Sequence, residues 1–214
     1  MRFGSMAVAA ALGLALANAA QPQGGGRVRV RVELIDVHCR GTEDVTGADH
    51  FYIVAHLVGD VKDGFKGKVT QPLRINDGEK KSFPEEALFD GTVPANGTVV
   101  GALKAFEEDQ GGEWRKKEKE WNESFKKANG KLGKADATAP TLANPGQLAH
   151  YVGHLADIPL ATLDQDDKLG VESVIISAKG PAEETKKWEI REGGRFGLST
   201  WDYTVRYRIV RIKE

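Results

Sequence analysis

The chain has 214 residues, a net charge of −1 and a single cysteine. Charge this close to zero argues against a general nucleic-acid-binding protein, because phosphate binding depends on a clustered basic excess. A lone cysteine forms no disulfide within the chain, so the fold must depend on a hydrophobic core, for which this length is sufficient.

The N-terminal residues have the pattern of a secretory signal peptide. Residues 1–19 contain an arginine, an apolar run and then an A-x-A cleavage box. The apolar run is shorter than the ~20 residues that a transmembrane helix needs. We therefore predict a secreted or periplasmic protein without a transmembrane segment, with a flexible leader at residues 20–26 and a single domain at residues 27–214.

Eight segments of this domain have strand patterns. Residues 27–34, RVRVRVEL, alternate charged and apolar side chains, as expected for a strand with one face in the core. The others are rich in β-branched and aromatic residues or are bounded by turn residues. They are residues 50–59, 69–75, 80–83, 98–106, 170–178, 187–191 and 201–212. Because the strands do not alternate with helices, we predict a mainly β fold, an antiparallel eight-stranded β-sandwich.

A helical insertion between the late strands, at about residues 110–166, is predicted from a change in composition. Residues 113–127 are rich in charged helix formers. Trp114, Trp121 and Phe125 are spaced by seven and four residues, so they form one aromatic stripe that is expected to pack against the sandwich. A second helix is predicted at residues 147–158.

Acidic residues recur where the predicted strands begin and end. Asp44 and Asp49 precede the second strand, Glu107 and Asp109 follow the fifth, and Asp167 precedes the sixth. If these loops share one end of the sandwich, their carboxylates would repel one another without a positive partner. Calcium takes six to eight oxygen ligands from flexible loops. The acidic residues therefore predict a calcium site at these loops.

These motifs resemble the C-two domain, the calcium-dependent phospholipid-binding β-sandwich of synaptotagmins and protein kinase C. The layout of the family's first calcium loop is similar to Asp44, Gly47, Asp49 and Tyr52. Its other acidic loop is similar to Glu107-Glu108-Asp109 together with Asp167-Lys168-Leu169-Gly170. In the family these two halves are close in sequence, so the resemblance implies that the helical segment is inserted into a calcium loop.

The layout is also similar to that of secreted bacterial proteins of unknown function with a helical insertion. The resemblance to the C-two domain implies a non-catalytic calcium-binding module that presents acidic loops to a protein partner or a surface. The calcium ligands that it implies are Asp44, Asp49, Glu107, Asp109 and Asp167. Phospholipid is not favoured as that partner, because the loop tips have no bulky apolar residues to enter a bilayer.

Two alternatives remain open. His150, His154 and Asp157 would share one face of the second predicted helix and could hold zinc in a secreted hydrolase, with His50 as a further candidate. The other alternative is a purely structural sandwich whose acidic residues only form turns.

Nucleophile and phosphate-loop motifs are absent from the sequence, so we predict that the protein is not an enzyme. Cys39 is predicted to be a buried thiol.

Overall fold

The computed structural model describes residues 26–42, 48–59, 66–84, 87–108, 118–123, 125–127, 168–193 and 200–214. These residues form two antiparallel β-sheets packed around a common hydrophobic core. The predicted mainly β, sandwich-like fold is therefore confirmed. The strands within these ranges are β1 (Arg27–Gly41), β2 (Asp49–Val58), β3 (Lys66–Val69), β4 (Leu73–Ile75), β5 (Lys80–Ser82), β6 (Ala87–Pro94), β7 (Thr98–Glu107), β8 (Lys168–Ser177), β9 (Glu183–Gly193) and β10 (Thr200–Lys213).

The first sheet is organised around β1, whose alternating sequence directs valines into the core and charged side chains outward. β10 runs antiparallel to β1 along nearly its whole length. On its other edge, β1 pairs with β6 through its first half and with β5 through its second half. β9 pairs with the far edge of β10 and completes the sheet.

The second sheet has β2 and β7 at its centre. These two strands pair from Phe51 opposite Glu107 to Val58 opposite Val100. β8 lies on the far side of β7, while β3 and β4 share the other edge of β2. Gly101 permits the close approach of β7 to β2, since a Cβ atom there would lie 1.8 Å from the carbonyl oxygen of His56.

Side chains from both sheets fill the space between them. Most inward positions of β1, β2, β7 and β10 are occupied by apolar residues that are fully or almost fully buried. Burial of this apolar surface is the main source of stability in a fold without disulfides. Cys39 lies in this core with no exposed surface, so its predicted burial is confirmed.

Helical residues cover the outer face of the second sheet. Residues 118–123 and 125–127 are helical, and Trp121 and Phe125 on them are 1% and 5% exposed. They belong to a second apolar cluster, which consists of Tyr52, Val54, Val69, Phe106, Trp121 and Phe125. The predicted docking of this helix through its aromatic residues is therefore confirmed for Trp121 and Phe125.

Gly67 in β3 makes room for the helix. A Cβ atom at this position would lie 2.2 Å from Cδ2 of Phe125, so only glycine lets that ring lie against the strand. Trp114 and the helix predicted at residues 147–158 lie outside the described residues. Within the described ranges, no helix is long and apolar enough to cross a bilayer.

The predicted number of strands was wrong, since the described residues contain ten strands and not eight. One difference concerns residues 69–75, which form the two strands β3 and β4 and not a single one. Pro72 lies between them and has no N–H group to donate to a continuous ladder. Thr70 bridges the break, since its hydroxyl accepts a hydrogen bond from the Ile53 N–H at 2.9 Å.

The other difference is β6, which the sequence patterns did not predict. Asp90, Gly91 and Pro94 lie within this strand, and all three residue types favour turns. The strand forms because it pairs with β1, where Arg29 makes a bidentate ion pair with Asp90 at 2.7 Å. A long-range partner thus decides its structure.

Candidate functional site

The acid-bearing connections leave the second sheet at the same end. β2 begins at Asp49, and β7, which is antiparallel to it, ends at Glu107. β8 begins at Lys168 beside the end of β7. The strand ends that flank residues 43–47 and 109–167 therefore lie side by side. The predicted calcium site requires this, because its ligands come from both connections.

Asp49 is fully buried at the start of β2 and belongs to the inward-facing side of the strand. Its Oδ2 atom accepts a hydrogen bond from the hydroxyl of Tyr203 in β10. The bond joins the two sheets, because β2 and β10 belong to different ones. Burial, together with the negative charge of Asp49, raises the pKa of Tyr203, so the phenol stays protonated and remains a donor.

Two other side chains surround Tyr203. Its ring packs against Phe51 with a centroid separation of 5.0 Å. Burial raises the pKa of the neighbouring Cys39 thiol to about 11, so this cysteine stays protonated and unreactive at neutral pH. We call the end of the second sheet where Asp49 and Glu107 lie the acidic end. Its inner side is a packed, hydrogen-bonded region that holds Asp49 in place.

Glu107 is the second predicted ligand within the described residues, and it is 3% exposed. Its Oε1 atom accepts a hydrogen bond from the His50 N–H at 3.3 Å, and the Glu108 N–H donates to the His50 carbonyl at 3.2 Å. Glu107 occupies an inward-facing position of β7, so it lies on the same face of the second sheet as Asp49. Because Phe51 lies directly opposite Glu107, the two acids are diagonal neighbours, a relation with a usual spacing of about 7–8 Å.

The structure therefore brings Asp49 and Glu107 together at one end of the second sheet. Asp44, Asp109 and Asp167, the other three predicted ligands, lie outside the described residues. Among the residues that are described, no group of three or more histidine, cysteine, aspartate or glutamate side chains is arranged to hold a metal ion. A complete site would require ligands from residues 43–47 and 109–167.

Asp77 is an acidic residue at this end that the sequence-based prediction did not include. It follows β4, whose Ile75 pairs with Asp49, and its Oδ1 atom accepts a hydrogen bond from the Thr42 N–H at 2.6 Å. Gly78 has φ +76°, as expected for the turn that closes here. Asp77 therefore caps the end of β1, and the Asn-Asp-Gly turn sequence was the signal for that position.

The residues of the zinc alternative are not brought together by what the structure describes. His150, His154 and Asp157 lie outside the described residues. His50 is partly buried in β2, where its backbone groups bond to Glu107 and Glu108. The zinc hypothesis stays a prediction.

No family model matches the sequence, and no curated protein matches it. Among solved structures, a C-two domain of plant extended synaptotagmin 1 matches 88% of this chain and 95% of its own length, with 11% identity and a TM-score of 0.44. A second C-two domain matches 86% of this chain and 97% of its own, with 12% identity and a TM-score of 0.40.

Human group IVD cytosolic phospholipase A2, in complex with an inhibitor and terbium chloride, matches 89% of this chain, which spans only 18% of that protein, with 10% identity and a TM-score of 0.40. Two of these matches are C-two domains, the family named above for the acidic motifs. At such identities and scores the likeness concerns the general β-sandwich arrangement and says nothing about ligands. The function is therefore argued from the contacts of this chain.

Proposed function

We propose that this protein is an exported, non-catalytic β-sandwich that binds calcium at the end where Asp49 and Glu107 lie, and presents that end to a protein partner or a surface. The observation that supports the proposal is the placement of these two carboxylates. Both are buried, both belong to the same face of the second sheet, and both start or end a strand beside an acid-bearing connection. Such strand ends provide rigid attachment points for ligands.

Carboxylate oxygens are the donor type that calcium prefers. In the proposed site, Asp49 and Glu107 supply oxygens from the sheet. Asp44, Asp109 and Asp167 supply oxygens from the connections. The hydrogen bonds from Tyr203 and from the His50 N–H orient the two strand carboxylates.

The proposed export sets the affinity that we expect. Extracellular calcium modules typically bind with a Kd of about 10⁻⁴ to 10⁻³ M. With a Kd of about 0.1 mM, calcium at about 10 mM stabilises the folded protein by about 2.7 kcal/mol. For a domain of this size, that corresponds to a rise in Tm of about 5–10 °C.

The test is thermal unfolding of the purified protein, first stripped with chelator and then titrated in parallel with calcium, magnesium and zinc. We expect a calcium-selective rise in Tm that is lost in Asp49→Asn. Asparagine keeps the shape of the side chain and an oxygen that accepts from Tyr203, so the metal-free variant should remain folded. Glu183→Gln is the matched control, because it removes an exposed carboxylate at the start of β9, at the opposite end of the sandwich.

A calcium response that persists unchanged in Asp49→Asn would show that Asp49 is a core residue and not a ligand. A response to zinc alone would favour the hydrolase alternative with His150, His154 and Asp157. No response to any of the three metals would contradict the proposal and leave the structural sandwich as the better interpretation.

A further inference from the structure

The outer face of the first sheet contains a groove of about 270 Å³ that is not part of the proposed calcium site. It lies across β5, β1, β10 and β9. The strand pairing arranges its side chains in rows. One row runs from Lys80 through His38 and Thr204 to Glu189, and the adjacent row contains Asp36, Arg206 and Lys187.

The groove has an excess of positive charge. Its four cations are Arg40, Lys80, Lys187 and Arg206. Among the described residues, only two carboxylates line it, those of Asp36 and Glu189, so these lining residues have a net charge of +2 with histidine neutral.

Asp202, an acid that pairs with a lining residue, does not remove this excess. Asp202 pairs with Arg40 and also with Arg191, at 3.2 Å, so including both of these neighbours adds one negative and one positive charge. Elsewhere on the same face the arginines are better matched. Arg208 bonds to Glu33 at 2.6 and 3.0 Å, for example.

Asp36 is the internal counterion of the groove. It is 4% exposed, it accepts two hydrogen bonds from Arg206, and it lies 3.2 Å from the Lys80 ammonium group. The hydrogen bonds from Arg206 hold the pKa of Asp36 below its usual range, so Asp36 is charged at neutral pH. One buried carboxylate thus orients two cations, and the sum of the three remains positive.

Lys187 and Thr204 line the groove but take no part in the pairing of Asp36 with Arg206 and Lys80. Lys187 is exposed and makes no ion pair within the described ranges. The Thr204 hydroxyl is buried and has no hydrogen-bond partner among the described residues. A buried polar atom without a partner is uncommon in folded proteins, and a bound acceptor is one explanation for it.

We propose that this groove binds a small, soluble phosphate monoester, whose two negative charges match the excess of two positive charges. Thr204 would donate its hydroxyl hydrogen to a phosphate oxygen, and Lys187 with Lys80 would provide charge-assisted hydrogen bonds. A soluble ligand fits better than a lipid headgroup because the lining residues that the structure describes include no large apolar side chain. The volume suits a small ligand, since it lies just below the usual range for drug-sized ones.

The proposal is tested with inorganic phosphate as the probe. The isotope-labelled protein is titrated at constant ionic strength, with chelator present so that calcium cannot contribute, and backbone amide shifts are followed by NMR. We expect saturable shifts at Thr204, Lys187 and their strand neighbours. Thr204→Val should lower the phosphate affinity about tenfold, because a hydrogen bond to a charged group is lost. Its unfolding midpoint should not fall, since the hydroxyl has no hydrogen-bond partner among the described residues.

Lys187→Ala should also weaken phosphate binding about tenfold, whereas Lys179→Ala, which removes an exposed cation just after β8, should not. Wild-type affinity in Thr204→Val would overturn the proposal. So would phosphate-induced shifts that are centred on arginines outside the groove. Sedimentation with phosphatidic acid vesicles, combined with no response to inorganic phosphate, would overturn the choice of a soluble ligand. None of these results depends on whether the acidic end binds calcium.

Discussion

His56 provides the clearest link between the packing of the helix and a measurable property. It lies in β2 beneath the helix, 4% exposed, with its ring 4.3 Å from Phe125 and 6.0 Å from Trp121 between centroids. Its Nε2 atom has no hydrogen-bond partner among the described residues. Burial, followed by the positive charge of Lys104, lowers the pKa of His56 to about 3.

This lowered pKa makes stability depend on pH. Between pH 6.5 and 3 the unfolded chain binds a proton at His56 that the folded protein does not, so acid favours unfolding. The stability contributed by the neutral ring is complete above pH 6.5 and is lost at about 1.4 kcal/mol per pH unit below it. Between pH 6.5 and pH 5, this one residue should lower the free energy of unfolding by about 2 kcal/mol.

Urea unfolding of the wild type and of His56→Leu at several pH values from 7.5 to 5 measures this term. The leucine variant should be at least as stable as the wild type at pH 7.5, because it removes a buried polar atom. Its stability should exceed that of the wild type increasingly as the pH falls. His50→Gln is the control, since it removes a histidine from the same strand. Parallel curves for the wild type and His56→Leu would refute the reasoning.

Two further substitutions test the helix and the acidic end. Gly67→Ala should destabilise the protein by about 2 kcal/mol, because the new methyl group displaces the Phe125 ring, and tryptophan emission should shift to longer wavelength as the helix loosens. An unchanged urea midpoint and spectrum would contradict the described docking. Tyr203→Phe should cost about 1–3 kcal/mol in urea unfolding, since buried Asp49 loses a donor. A cost near zero would show that this hydrogen bond is unimportant for stability.

The strands that follow simple alternation could be predicted from the sequence, and those that depend on distant partners could not. β1 illustrates both cases. Its valines alternate as far as Leu34, but a register shift between Leu34 and Asp36 interrupts the period. Beyond that point lies buried Asp36, a residue type that is more common in loops than in strands. Its burial becomes favourable through Arg206 and Lys80, which are distant in sequence.

The candidate site was predictable to a similar extent. Acidic residues next to strand ends identified Asp49 and Glu107, and the antiparallel pairing of β2 with β7 explains why they meet. Tyr203, the donor to Asp49, is 154 residues away in sequence, and no local pattern connects them. The basic groove was not predicted, because its cations come from four strands and only the strand register places them in adjacent rows.

The pairing of β1 with β10 has a consequence for how the chain folds. These are the first and last strands of the described chain, and the Glu214 N–H donates to the Arg27 carbonyl at 3.0 Å. The central seam of the first sheet therefore joins the first and last strands of the described chain and cannot close on a growing chain until β10 has been synthesised. Contacts of such sequence separation slow folding to milliseconds or seconds. During that interval the valine-lined face of β1 is exposed, so the time before the seam closes is when the chain is most vulnerable to aggregation.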